Sequence, residues 1–392
     1  MAMQPFSTSA RALAEGLLSS VGRPGQFPDR GIGFEELRRL EIGLAEVPGA
    51  EIAAAVEQLD FEPPGLDYLP LASTSPERAR AGARHHSWRV DRFEIWKRVI
   101  EAIRDPQALA AVIRTARQDW VRSHAWHHLE DQPTLRDFAL DGASPFQAGA
   151  AERLTDQGLL AEVARSGAPE TVRAIAASRL TDESLLVELA SGDPRPAVRR
   201  AASTVVSDQA VLTHLVRSDP NADVRSAAAG GVTDEATLTG VATSDPDPTV
   251  RAAAVARVAQ QAVIAQVALQ DPDGAPRRSA VARLDDQRIL AHLARHDPDE
   301  GVRLAAVKRC DDQRVLADTA LNPAETFPIR VAALRRCSQQ DLLKDIVEHA
   351  DDMSVRQYAT ERVSDREFLA RVAATERNSV VRAAAAWRLG RL

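Results

Sequence analysis

A Val-Arg dipeptide, or a close variant of it, returns every 25 to 27 residues through most of this 392-residue chain. The pairs begin at Val121, Val172, Val198, Val224, Val250, Val302, Ile329, Val355 and Val381, and Phe146 and Pro276 fill the two gaps in the series. Three residues after each Arg position stands an alanine: Ala125, Ala150, Ala176, Ala202, Ala228, Ala254, Ala280, Ala306, Ala333, Ala359 and Ala385. A fixed period of this length is typical of small supersecondary repeats that stack on their neighbours.

Each repeat carries the signals of two short helices. Five consecutive repeats open with Asp-Pro, beginning at Asp193, Asp219, Asp245, Asp271 and Asp297, where proline ends the previous helix and aspartate can cap the next. Thr-Asp or Ser-Asp pairs, such as Thr181-Asp182, follow the first helix and predict a capping hydroxyl and an acid in the first turn of the second. A leucine or isoleucine column then predicts the apolar side of the second helix: Leu160, Leu186, Leu212, Leu238, Ile264, Leu290, Leu316, Leu343 and Leu369.

These patterns predict an all-α fold, an α-solenoid made of about twelve repeats of 25–27 residues, each a pair of helices of roughly eight to ten residues. The count includes a degenerate first repeat that runs from Trp96-Lys97 through Asp105 to Leu109. We expect the solenoid to cover residues 91–392. Residues 1–90 do not follow the repeat, and we expect them to form an irregular helical N-terminal cap with a mobile Pro/Gly-rich arm.

Composition limits the classes of partner. Hydrophobic residues make up 44% of the chain and aromatic residues only 4%, which favours thin, closely packed helices. The formal net charge of −7 argues against nonspecific attraction to nucleic acid or to an anionic membrane. Cys310 and Cys337 give neither a disulfide framework nor a metal-ligand cluster, and we expect both to be buried apolar residues. Without an apolar run suited to a signal peptide or a membrane span, the expected location is the cytoplasm.

The repeat written out at residues 219–244, DPNADVRSAAAGGVTDEATLTGVATS, resembles the HEAT-like repeats of bacterial proteins and also the leucine-rich-repeat variant. The resemblance covers residues 91–392. It implies that an acid and an arginine form a ladder, here Asp193 with Arg199, Asp219 with Arg225, and Asp245 with Arg251. It also implies that the second helices line a concave surface. Such repeats serve as scaffolds, adaptors and inhibitors, and some support enzymes such as bilin lyases and alkylpurine DNA glycosylases.

Two arginine columns could be mistaken for a phosphate-binding stripe. The Arg of the Val-Arg pair recurs regardless of its surroundings, so we interpret it as part of the structural ladder. We expect the second column to donate to helix carbonyl groups, and it consists of Arg153, Arg179, Arg257, Arg283, Arg309, Arg336, Arg362 and Arg388.

Positions that vary between repeats are better candidates for contact with a partner. Two residues after the second-helix leucine, the column reads Glu162, Glu188, His214, Gly240, Gln266, His292, Asp318, Asp345 and Arg371. We call this column the second-helix stripe. It is acidic toward its ends and neutral in the middle, and it predicts a protein partner of basic or mixed charge; simple solvation is the alternative.

The ends of the repeat array hold unusual side chains. Histidine and tryptophan concentrate between residues 85 and 128, where we expect a bulky end-cap core or a docking site that includes Trp88 and Trp126. His124 and His128 lie one helical turn apart and could share a metal ion, but no third ligand recurs at a matching position. At the other end, Trp387 occupies a normally exposed column and predicts either a cap that folds back or contact with another chain.

These observations favour a non-catalytic protein-binding scaffold or adaptor that uses the second-helix stripe, the ends, or both. We find no phosphate loop, nucleophile signature or ligand cluster, so we expect no catalytic residues, cofactor or metal. The alternative is a helical-repeat enzyme, either DNA glycosylase-like or prosthetic-group lyase-like. A glycosylase needs a basic groove with aromatic residues, and the stripe lacks both. We do not expect nucleic acid or membrane as the partner, and the oligomeric state stays open.

Overall fold

A computed structural model describes residues 97, 100, 101, 103–116 and 118–392. Twenty-two α-helices and no strand are found in these residues, so the all-α prediction is confirmed for them. The helices are α1 (Pro106–Thr115), α2 (Asp119–His128), α3 (Gln132–Leu140), α4 (Gln147–Arg153), α5 (Gln157–Arg165), α6 (Glu170–Ala177), α7 (Glu183–Gly192), α8 (Pro196–Ser203), α9 (Gln209–Ser218), α10 (Ala222–Ala229) and α11 (Glu235–Ser244). They continue as α12 (Pro248–Val255), α13 (Gln261–Gln270), α14 (Gly274–Val281), α15 (Gln287–His296), α16 (Glu300–Val307), α17 (Gln313–Leu321), α18 (Phe327–Arg336), α19 (Gln340–His349), α20 (Met353–Thr360), α21 (Arg366–Thr375) and α22 (Ser379–Leu389).

Even-numbered helices are the first helices of the repeats, and odd-numbered helices are the second. From α6 to α16 every first helix has 8 residues, and most second helices have 10, as the sequence predicts. Lys97, Ile100 and Glu101 are also helical and precede α1, which matches the degenerate first repeat. The predicted cap and arm at residues 1–90 lie outside the described residues.

The chain divides into two compact units, Met1–Leu180 and Thr181–Leu392, which we call the N-terminal and C-terminal units. Within each unit a helix packs against the helix that follows it and against the equivalent helix of the next repeat. This serial packing of neighbouring helices is the arrangement of an all-α solenoid.

The alanine column forms the centre of the packing. All eleven alanines, from Ala125 to Ala385, are completely buried, and the leucine column of the second helices is buried as well. A methyl side chain at the contact lets two helices approach closely, since little volume separates their backbones. From α8 to α16, neighbouring first helices are accordingly closer to one another than neighbouring second helices are.

The caps differ in detail from the prediction. Before the second helices, the aspartate itself is the N-cap: the Asp182 carboxylate accepts from the backbone N–H groups of Ser184 and Leu185. At the repeat openings, Asp219 accepts from the N–H of Asn221, and Asn221 then caps α10. The opening aspartate therefore shapes the turn, and the residue two positions later caps the helix.

Two further expectations concern burial and membranes. Cys310 and Cys337 are free thiols, both completely buried, and burial raises the pKa of each. They are apolar core residues, as predicted. None of the helices in the described part of the chain combines the length and the apolar character that crossing a bilayer requires.

Candidate functional site

An arginine–acid ladder runs through the C-terminal unit. Arg199 donates from Nε and Nη2 to the two carboxylate oxygens of Asp219, at 2.8 and 3.0 Å, and from Nη1 to the backbone carbonyl of Asp193 at 2.9 Å. The same bidentate contact recurs in the pairs Arg225–Asp245, Arg251–Asp271, Arg277–Asp297 and Arg303–Glu325. The predicted ladder exists, but its predicted register is wrong. Each arginine donates to the carboxylate of the following repeat and to the main-chain carbonyl of the residue that opens its own repeat.

Burial makes these contacts structural. The Arg199 and Asp219 side chains are only 11% and 3% exposed. Burial opposes ionisation of Asp219, but hydrogen bonds from Arg199 and from the Asn221 N–H outweigh it and lower the pKa of that carboxyl. Hydrogen bonding to Asp219 raises the pKa of Arg199 in turn. The guanidinium groups of these ladder arginines are bonded inside the protein and do not form a phosphate-binding stripe. The prediction that this column is part of a structural ladder is confirmed for them.

The second arginine column is also used inside the fold. Arg309 Nη2 donates to the Leu284 carbonyl at 2.9 Å, and Arg388 Nε donates to the Val363 carbonyl at 2.9 Å. Arg153, Arg179, Arg283, Arg336 and Arg362 make the equivalent contact, each with a carbonyl group near the end of the preceding first helix. The prediction that these side chains cap helix carbonyls is confirmed for these seven residues.

A third structural column was missed in the sequence. The Gln209 side-chain oxygen accepts from the backbone N–H and hydroxyl of Thr233, both at 2.9 Å, while its nitrogen donates to the Gly231 carbonyl at 3.0 Å. Gln or Glu follows the capping residue of the second helix in nine repeats: Gln132, Gln157, Glu183, Gln209, Glu235, Gln261, Gln287, Gln313 and Gln340. In the sequence, this column is visible as a recurring Asp-Gln or Asp-Glu dipeptide. The Thr and Ser hydroxyls that precede the second helices donate to these Gln or Glu side chains, as Thr233 does to Gln209, and so they do not act as caps.

The second-helix stripe is exposed. Glu162 lies in the N-terminal unit, and the other eight positions lie on successive second helices of the C-terminal unit. Asp345 is half-buried and the other eight residues of the stripe are exposed. Because these side chains are not needed for helix packing, their variation from repeat to repeat costs the fold little.

Several charges of the stripe are already paired. Glu162 accepts from Arg136 at 2.7 Å, Asp318 from Arg295 at 2.8 Å, and Asp345 lies 2.7 Å from His349 Nδ1. Arg371 contacts Glu348 at 2.7 Å, and its guanidinium lies over the Phe368 ring. The stripe therefore presents mixed charge, with a basic neighbour beside each of these acids.

The predicted end residues fall into three classes. Trp126 is only 8% exposed and stacks on Phe146 with ring centres 4.7 Å apart, so its assignment to partner contact is corrected: it is a core residue. Trp387 is 53% exposed beneath the Arg391 guanidinium, so it is not buried as an end cap would be. Trp88 lies outside the described residues.

The histidine-rich segment contains an arrangement that the sequence did not predict. His124 and His128 on α2 have ring centres 4.8 Å apart, and Glu101 approaches them from the preceding helical residues. Burial is the main cause that lowers the pKa of His124, and the neighbouring His128 acts in the same direction. The other pair, His292 and His296, has ring centres 5.1 Å apart and belongs to no such three-residue group among the described residues.

Two surface features of the C-terminal unit also depart from the repeat. Phe327 and Tyr358, 45% and 39% exposed, form an aromatic pair with ring centres 6.4 Å apart, and Tyr358 stands in a column otherwise filled mainly by alanine. Near the end of the ladder, Arg356 lies 3.8 Å from Glu376, too far for a hydrogen bond, beside a cleft of about 360 Å³ that Arg371 also lines.

Comparison with known proteins adds no assignment. No protein-family model matches the chain, and no curated protein does.

Proposed function

We propose that this protein is a non-catalytic scaffold or adaptor that holds a protein partner against the second-helix stripe. The contrast between two sets of polar residues carries the proposal. Residues that recur in many repeats, such as Arg225 and Asp245, are largely buried and bonded to one another, whereas the stripe is exposed and differs from repeat to repeat. A surface that is free of packing constraints and chemically varied is suited to selective binding.

The charges of the stripe favour a partner of basic or mixed character. Acids outnumber arginines in the stripe, and the arginines of the ladder are occupied by carboxylates. Phosphate groups would find few available cations on this face, so we propose a protein partner and not nucleic acid or an anionic membrane.

The resemblance to HEAT-like repeats and to the leucine-rich-repeat variant supports the same proposal, since repeats of both kinds serve mainly in binding. The unit of about 26 residues and the arginine–acid ladder fit that resemblance, although the ladder has a shifted register. We also propose a cytoplasmic location, which suits two buried free thiols.

Charge reversal on the stripe tests this function. The full chain, immobilised, would be used to capture partners from native cell extract, and the captured proteins would be quantified by mass spectrometry. Changing four acids of the stripe to lysine should reduce capture of a specific partner at least tenfold, because like charges would then face a basic surface. The four substitutions are Glu162→Lys, Glu188→Lys, Asp318→Lys and Asp345→Lys.

A matched control changes four exposed acids of the first helices to lysine and so alters the net charge equally. These substitutions are Glu152→Lys, Glu170→Lys, Asp223→Lys and Glu300→Lys. Capture by the control should stay near that of the unchanged protein. An equal loss of capture in both variants would show that net charge, and not the stripe, controls binding. No loss of capture in either variant would exclude the stripe as the binding surface.

A further inference from the structure

Three metal-ligating side chains converge in the N-terminal unit. One ligand atom each from Glu101, His124 and His128 can be chosen so that all lie within 4.8 Å of one another. His124 and His128 are one turn apart on α2, and Glu101 comes from the helical residues that precede α1. The third ligand, which the repeat pattern did not supply, is therefore provided by the neighbouring repeat.

The imidazole of His124 lacks a partner that its burial requires. Its Nε2 atom is buried and has no hydrogen bond, and the nearest carboxylate oxygen, Oε1 of Glu101, is 3.8 Å away. At that distance no hydrogen bond forms. A buried polar atom without a partner destabilises a fold, so a ligand bound at this nitrogen would remove an energetic cost.

All three residues depart from their repeat columns. His124 stands where the first helices α8, α10 and α12 have alanine, and His128 stands where other repeats have the carbonyl-capping arginine. Glu101 aligns with a buried column of small or apolar residues such as Ala229 and Val255. Three independent departures that meet at one point are not explained by the packing of the repeat.

We propose that Glu101, His124 and His128 bind one Zn²⁺ ion through one carboxylate oxygen and two imidazole nitrogens. Zinc takes such ligands at roughly 2.0–2.2 Å in tetrahedral geometry, which places ligand atoms about 3.4 Å apart. The present separations, up to 4.8 Å, are larger than this, so side-chain rotation must bring the three ligand atoms closer on binding. Three protein ligands leave a fourth position for water or for a ligand from a bound partner.

The local charges set limits on affinity. Glu101 supplies the negative charge of the ligand set, while Lys97 adds positive charge nearby. Glu101 is thus the residue on which binding of a divalent cation depends most, because it is the one carboxylate among the three ligands.

Metal titration of the full chain tests the proposal. After removal of metal with a chelator and dialysis, isothermal titration calorimetry with Zn²⁺ should show one site per chain. Replacing Zn²⁺ with Co²⁺ should give the visible absorption of tetrahedral cobalt. Glu101→Gln and His128→Gln should each weaken Zn²⁺ binding at least tenfold and abolish the Co²⁺ spectrum. His128 is exposed, so its variant keeps the fold even if the Glu101 variant does not.

Matched controls separate this site from general histidine binding. His292→Gln removes one member of the other histidine pair, and His127→Gln removes an exposed neighbour that is not among the three ligands. Both should bind Zn²⁺ like the unchanged chain. Absence of Zn²⁺ binding, unchanged affinity in His128→Gln, or an equal loss in His292→Gln would each overturn the proposal.

Discussion

The arginine of each Val-Arg pair in the ladder joins two repeats through one guanidinium group. Arg225, for example, binds the Asp245 carboxylate at 2.9 and 3.0 Å and the Asp219 carbonyl at 3.0 Å. The planar fork of arginine matches a carboxylate and leaves a third donor for the carbonyl, which lysine cannot reproduce. This geometry explains why the column is arginine in almost every repeat.

Loss of one ladder partner should be costly. We expect Arg225→Met to lower the free energy of unfolding by about 3 kcal/mol, because it leaves the mostly buried Asp245 carboxylate unpaired. Urea denaturation followed by circular dichroism measures the change. The exposed pair Arg295–Asp318 provides the comparison: Arg295→Met should cost less than about 1 kcal/mol. Similar losses in both variants would contradict a structural ladder.

The first helices owe their close packing to a single column. Ala254 on α12 is completely buried, and the equivalent alanines of neighbouring repeats are as well. Since the interior is close-packed, a larger side chain at this position must separate helices or adopt a strained rotamer. The packing of the first helices therefore depends on the small size of the alanine side chains as much as on the apolar character of the core.

Enlarging this alanine tests its role. Ala254→Leu should destabilise the chain by about 1–3 kcal/mol through overpacking. Ala256→Leu, two residues away at an exposed position, adds the same methylene groups and should change stability by less than about 0.5 kcal/mol. Thermal unfolding of both variants provides the measurement. A stable Ala254→Leu variant would show that the helices have room to spare.

At the scale of the whole molecule, the strongest helix contacts in the described part of each unit are local. They join a helix to the next helix along the chain or to the equivalent helix of the next repeat. Stability in such arrays is approximately a sum of terms for single repeats and adjacent interfaces. Functional departures, such as the histidine pair on α2 or the aromatic pair near α18, can therefore arise in one repeat without disturbing the others.

This locality predicts where a core change is felt. With Ala254→Leu, amide hydrogen exchange should become faster in α10, α12 and α14, which contain or adjoin the altered contact. Exchange in α20 and α22 should stay as it is in the unchanged chain, measured by mass spectrometry of peptides. Acceleration throughout Thr181–Leu392 would instead show that the C-terminal unit opens as one cooperative body.

Sequence periodicity by itself determined the helical repeats, their lengths and their buried columns. Helix positions and buried columns depend on local propensity and on contacts that are repeated along the chain. A recurring residue, such as the alanine of each first helix, therefore reveals them in the sequence. The three-dimensional arrangement decided what the period leaves open: that Arg199 bonds to the carboxylate of Asp219 and to the backbone carbonyl of Asp193, and that Trp126 is buried. It also brought Glu101 to His124 and His128. Such pairings join positions that differ in column and repeat, and only the packing of one helix on another brings their side chains together.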